Sequence, residues 1–305
     1  MDWINLTGIK KVHSLIDKVY KRKNLEMAWE KVKANRGSGG VDGQNLEAFE
    51  AQLNQQLERL QRELKEDTYQ PLPVRQHPIP KRDKPGEYRV LGIPTIYDRV
   101  CQQALLNRLE PIFEPIFADA SFGYRRGRST KDALRKVGRE IQGGSEWIVD
   151  ADLRDFFGSV DHEKLLTLLA QRVADGRVLR LIKAMLKAGS YGEGRLFPAE
   201  RGTPQGSVVT PRTQKINLNL SGRSSLRGGS GIANDTPSSL DVCLLRLYLY
   251  VVCLAPLLLN GRSASIDPEP CFSFVHHSPK PFNSSSDRAP FLHVRLTDIS
   301  SRPNA

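Results

Sequence analysis

Residues 146–153, EWIVDADL, constrain the fold more than any other stretch of the chain. Their aromatic and β-branched content predicts a short strand. Trp147 and Val149 fall on one face, Ile148 and Asp150 on the other, and Asp152 follows Asp150 by the two-residue period. The sequence then runs into RDFFGSVDH, so Asp150, Asp152, Asp155 and Asp161 lie within twelve residues. An acid at the end of a buried strand is costly unless something positive meets it. A divalent ion, which favours hard oxygen ligands, is one such partner. Capping or a salt bridge with Arg154 is the other. Asp152, at the strand end, is best placed for a metal.

The surroundings are helical. Leu46, Phe49, Leu53, Leu57, Leu60 and Leu64 recur at three and four, which predicts an amphipathic helix over 45–66. In YQPLPVRQHPIPKRDKPGEYRVLGIPT the prolines forbid helix, and GEYRVLGI suits a strand entered through a Pro-Gly turn. From Asp98, DRVCQQALLNRLEPIFEPIF reads as helix until its prolines. Helices are also predicted over 130–142 and 161–173, the latter with Asp161 as N-cap. Strands separated by helices in irregular order predict an α+β fold.

The chain carries 45 Lys and Arg against 34 Asp and Glu, a formal net charge of +11. That surplus attracts polyanions, with nucleic acid the first candidate and a merely basic soluble protein the other. Arg125, Arg126 and Arg128 stand in a glycine-punctuated segment before a helix. Such a segment positions phosphates or is a solvated basic loop. The four cysteines form no CxxC, which argues against a zinc ribbon and a disulfide framework. The N-terminus lacks an apolar signal core, so a cytoplasmic location is expected.

Composition changes near residue 211. The first 211 residues hold 8 serines and the last 94 hold 15, while Glu falls to Glu269 alone and Lys to Lys215 and Lys280. A boundary is expected there. Residues 242–259, VCLLRLYLYVVCLAPLLL, reach the lower edge of a membrane span, but Arg246 and Pro256 argue against one. Cys271, His276 and His277 lack a fourth metal ligand. Residues 260–305, rich in Ser and Pro, are expected to be largely disordered.

DADLRDFFGSVDH resembles the first catalytic motif of reverse transcriptases of the group II intron type. ANRGSGGVDG, IPKRDKPGEYRVLGIPTIYDRVCQQAL, SFGYRRGRSTKDAL and RGTPQGSVVTP follow that family's order and spacing. Together they cover about residues 25–211. The resemblance implies a right-hand polymerase: an N-terminal extension and helical RNA-contact region (1–75), fingers (76–143), a partial palm (144–211) and an unassigned tail (212–305). It implies an RNA-directed DNA polymerase, a nucleotidyltransferase using Mg²⁺ and deoxynucleoside triphosphates on an RNA template with a DNA primer. Asp152 matches the first metal-binding aspartate. Phe157 matches the bulky residue that excludes a 2′-hydroxyl, or is a core aromatic beside Phe156. Lys81 and Arg89 match the finger cations that grip the triphosphate, or are ordinary surface charge. Gln205 in TPQG matches the residue lying against the nucleotide. Lys21, Arg22 and Lys23, with the arginine cluster, become candidate contacts to intron RNA.

Two-metal phosphoryl transfer needs several converging carboxylates. The family's second set is an adjacent Asp pair on a palm hairpin, and no Asp-Asp pair occurs in these 305 residues. The catalytic centre is therefore expected to be incomplete, with a disrupted gene and an out-of-frame or foreign tail as the explanation. The alternative reading is a non-catalytic, maturase-like protein that grips intron RNA.

Overall fold

The computed structural model describes residues 11–81, 85–144, 147–153, 156–213, 215–217, 250–252 and 292–298. The chain divides into two units. One joins residues 1–117 to 160–221, and the other joins 118–159 to 222–305.

The first unit opens with α1 (Ile16–Val19), α2 (Arg22–Ala34), α3 (Leu46–Ala51) and α4 (Leu53–Glu66). The 45–66 periodicity holds, but Gln52 at φ −117°, ψ 21° divides it into two helices. β1 (Val74–Pro80) and β2 (Tyr88–Ile93) follow as an antiparallel hairpin. β1 lies where the prolines had hidden a strand. The Lys81 N to Glu87 O bond fixes the ladder parity, so the nitrogens of Pro78 and Pro80 point away from β2 and no ladder bond is lost.

α5 (Ile96–Phe113) begins two residues before Asp98 because the Thr95 hydroxyl caps it by accepting from the Asp98 amide. It runs through Pro111 into a 3₁₀ turn at Glu114–Ile116. α5 packs against α2, and buried Asn24 ties the two together by donating to the carbonyls of Val19 and Ala104. Trp29 stacks on Phe49 with ring centroids 5.0 Å apart. Leu57, Leu60, Leu105 and Leu109 complete this part of the core.

The second stretch of this unit adds α8 (His162–Ala170) and α9 (Gly176–Lys187); the intervening α6 (Thr130–Gln142) and α7 (Phe156–Ser159) belong to the other unit. As expected, Asp161 caps α8, accepting from the amides of Glu163 and Lys164. β4 (Ser190–Gly192) joins β1 in parallel and β5 (Arg195–Phe197) joins β4, giving the sheet order β2-β1-β4-β5. Residues 210–213 and 215–217 are helical. Arg212 is buried and forks to Glu110 (2.5 Å) and Glu114 (2.7 Å), while Thr213 and Ile216 are fully buried. Core packing thus continues past residue 211.

The second unit holds α6 (Thr130–Gln142), β3 (Trp147–Leu153), α7 (Phe156–Ser159), β6 (Tyr250–Val252) and β7 (Leu292–Asp298). α6 matches its expected bounds. Ser129 and Asp132 form a reciprocal capping box at its start. β3 is central in the antiparallel order β6-β3-β7. Two short strands lie in the tail. Within 260–305, Leu292–Asp298 is a strand, because Leu292, Val294 and Leu296 alternate with His293, Arg295 and Thr297. Within 242–259, Tyr250–Val252 is a strand as well. The remaining expectations for the tail fall outside the described residues. Among the described residues no helix is long and apolar enough to cross a membrane.

Candidate functional site

The β1–β2 hairpin carries two of the expected residues. Lys81 and Arg89 share a face by register, Lys81 opposite Glu87 and Arg89 opposite Ile79. Both are exposed. The Lys81 ammonium meets the Glu87 carboxylate at 2.6 Å. An exposed pair of this kind is worth roughly 0–1 kcal/mol, so an incoming polyanion displaces it at small cost.

The TPQG loop lies along the free edge of β2. The amide of Gly92 donates to the carbonyl of Gln205 at 2.6 Å. Gly206 adopts φ +109°, and a Cβ there would come within 2.7 Å of the Gly92 oxygen and 2.8 Å of Leu91 Cδ1. Glycine is thus required by both conformation and space. The fold places half-buried Gln205 beside the strand that carries Arg89.

In the second unit, register sets Asp150 opposite Tyr250 on β6 and Arg295 on β7, and Asp152 opposite His293. The one carboxylate in either flanking strand, Asp298, pairs with Trp147 at the far end. Among the described residues no cluster of three His, Cys, Asp or Glu could hold a metal ion. Phe157 is half-buried in α7 and meets Phe156 edge-on, centroids 6.0 Å apart.

The basic residues separate by environment. Arg125 is half-buried and donates to the carbonyls of Ala118 (2.7 Å) and Ser121 (3.0 Å), so its guanidinium braces its own loop. Arg128 binds Asp119 and lies over the Phe122 ring at 5.6 Å. Arg126 is exposed and, among the described residues, pairs with no acid. In the first unit Arg22 holds Glu26 at 2.8 Å and Asn54 at 2.5 Å, fastening α2 to α4. Lys21 and Lys23 are exposed.

Two polar groupings escaped the sequence reading. Arg75 donates to the Gly39 carbonyl at 2.9 and 3.2 Å, and Arg99 donates to the carbonyls of Ser38 and Pro94. Together they clamp the glycine loop of residues 36–43. Burial lowers the proton affinity of Arg99. Asp98 is buried and accepts from Tyr69 (2.5 Å), Thr95 (2.7 Å) and the Leu72 amide (3.3 Å). Burial raises its carboxyl above the ordinary value despite those bonds. The signals were non-local: Arg75 reaches a loop 36 residues away.

Residues 79–224 match the family model described as reverse transcriptase (RNA-dependent DNA polymerase). The chain is 38% identical over 184 residues to Protein YkfC of Escherichia coli (strain K12), covering 59% of this chain and 48% of that one. It is 34% identical over 194 residues to the group II intron-encoded protein LtrA of Lactococcus lactis subsp. cremoris, covering 63% and 32%. A solved partial Cas6-RT-Cas1–Cas2 complex aligns at TM-score 0.48 and 21% identity, over 71% of this chain and 35% of that one. By class the matched region is similar to reverse transcriptases. More particularly, the chain is similar to group II intron-encoded reverse transcriptase and maturase proteins. It spans about half the length of the first of these relatives and about a third of the second. The family implies a divalent metal requirement.

Proposed function

We propose that this chain is a catalytically incomplete portion of an intron-type RNA-directed DNA polymerase that retains the nucleotide- and RNA-gripping parts. In this reading residues 1–75 contact RNA, 76–143 are fingers, 144–211 are partial palm, and 212–305 are an unassigned tail. The observation that carries it is Gln205 anchored by its own carbonyl to the strand bearing Arg89, on the hairpin that also bears Lys81. Lys81 and Arg89 supply two cations to a triphosphate, and Gln205 lies against the nucleotide. Asp152 is the one matched acid for Mg²⁺, and Phe157 the matched sugar-gate residue. Lys21, Lys23 and Arg126 are the exposed cations available to a template or intron RNA. Arg22, Arg125 and Arg128 are held by contacts within their own units, so their first role is to shape those surfaces.

The ion would supply charge neutralisation of the phosphates. This chain's residues bind and orient, and no bond-making step is assigned to them. The test is binding of a deoxynucleoside triphosphate to the purified chain, followed by calorimetry, beside primer extension on an RNA template. Binding weakened at least fivefold by Lys81→Ala or Arg89→Ala, with no extension, is the expected result. Absence of binding, or binding indifferent to both changes, refutes the nucleotide role. Robust Asp152-dependent synthesis refutes the incompleteness.

A further inference from the structure

We propose that His162 is a positioning residue for Gln205, acting through a latch on the loop that carries it. The inference rests on the nucleotide role proposed for Gln205. His162 is the first residue of α8 and is buried, with 4% of its surface exposed. Its Nε2 lies 2.6 Å from the carbonyl oxygen of Gly202. A carbonyl only accepts, so Nε2 carries the proton and donates. The Gly202 amide donates in return to the Val160 carbonyl at 2.8 Å. Residues 160–162 therefore grip both polar groups of one glycine, which stands at φ +81°.

That glycine begins the loop. Three residues on, the Gln205 carbonyl takes the Gly92 amide. Beyond it, Oε1 of buried Gln102 accepts from the Ser207 hydroxyl (2.8 Å) and the Val208 amide (3.0 Å). The loop is thus fixed before, at and after Gln205, and His162 supplies the side-chain bond to its first residue. The other ring nitrogen, Nδ1, is buried and has no partner among the described residues. A leucine or phenylalanine would fill the space without burying a bare nitrogen. The bond from Nε2 is what distinguishes histidine from an apolar filler.

His162 acts through the backbone of residues 202–205 and not by contact with nucleotide or metal. The test compares the full chain with His162→Leu, which removes the donor, and His162→Gln, whose amide nitrogen can replace Nε2. Amide hydrogen exchange reads the latch and dATP calorimetry reads its consequence. In His162→Leu the Gly202 and Gly92 amides should exchange at least tenfold faster, while those of α2 stay at wild-type rates. dATP should bind at least fivefold more weakly, and His162→Gln should recover both. Unchanged exchange at Gly202 and Gly92 overturns the proposal. So does acceleration throughout the unit, or a glutamine variant that behaves like leucine. If the loop loosens while dATP affinity holds, the positioning of Gln205 is overturned. If the wild-type chain binds no dATP, the nucleotide role is what fails, and the exchange comparison alone upholds or overturns the latch.

Discussion

The Leu15 amide donates to Oδ2 of Asp175 at 2.6 Å across 160 residues of sequence, and the Ile16 amide adds a second bond at 2.8 Å. The other carboxylate oxygen caps α9 through Arg177 and Val178. One side chain thus closes two chain segments. Burial opposes its charge, but the amides of Ile16, Leu15, Val178 and Arg177 more than offset it and hold the carboxyl below the ordinary value. A lowered folded value contributes stability that is present above the unfolded carboxylate range and is lost as pH falls through the folded one. Asp175→Ala should cost about 2 kcal/mol at pH 7, as for a lost cap with added backbone partners. The gap between variant and wild type should close below about pH 4. Denaturant titration across that range, with hydrogen exchange at Leu15, checks both statements.

Asn24 supports the α2–α5 contact with both ends of its amide, since Oδ1 also accepts from Asn107 at 3.2 Å. Asn24→Leu preserves bulk but removes the buried side-chain donor to the Val19 and Ala104 carbonyls. A loss of about 2 kcal/mol is expected. Urea unfolding followed by tryptophan fluorescence would measure it, and a neutral result would mean the helices repack.

Gly206→Ala introduces a Cβ into the Gly92 carbonyl at a positive φ. The strain should cost about 2 kcal/mol locally. Because it falls next to Gln205, triphosphate affinity should drop with it while RNA binding holds. Parallel dATP and RNA titrations separate the two effects.

Arg125 and Arg126 are neighbours with opposite expected phenotypes. Arg126→Ala should leave the unfolding midpoint unchanged. It should lower RNA affinity and reduce the slope of log K against log salt by about 0.7–0.9, one phosphate contact. Arg125→Ala removes donors to Ala118 and Ser121 and should loosen the 118–128 loop. Salt-dependent RNA binding and exchange of that loop's amides distinguish them. Equal behaviour of the two variants would contradict the assignment.

Local chemistry was legible in the sequence. Asp161 before its apolar helix announces a helix start because the cap is written within four residues. The strand at 147–153 was equally plain. Gln52 was not, since nothing in the leucine period marks the break between α3 and α4. β1 was hidden because Pro78 and Pro80 read as breakers until ladder parity shows their nitrogens facing outward. Lys81, Arg89 and Gln205 were expected from motif order, but the Gly92–Gln205 bond that sets Gln205 beside β2 joins segments far apart in sequence. For the same reason Arg75, Arg99 and His162 passed unnoticed. Each acts on a backbone carbonyl, and a carbonyl has no letter in the sequence.

The first unit is assembled from two stretches of chain separated by residues 118–159. A protease that nicked the intervening stretch would leave this body as two polypeptides, still joined by Asp175 to Leu15 and by Arg212 to Glu110 and Glu114. The same geometry makes it a natural split protein: halves expressed separately, one ending near residue 117 and one beginning near 160, have complementary surfaces ready to reunite.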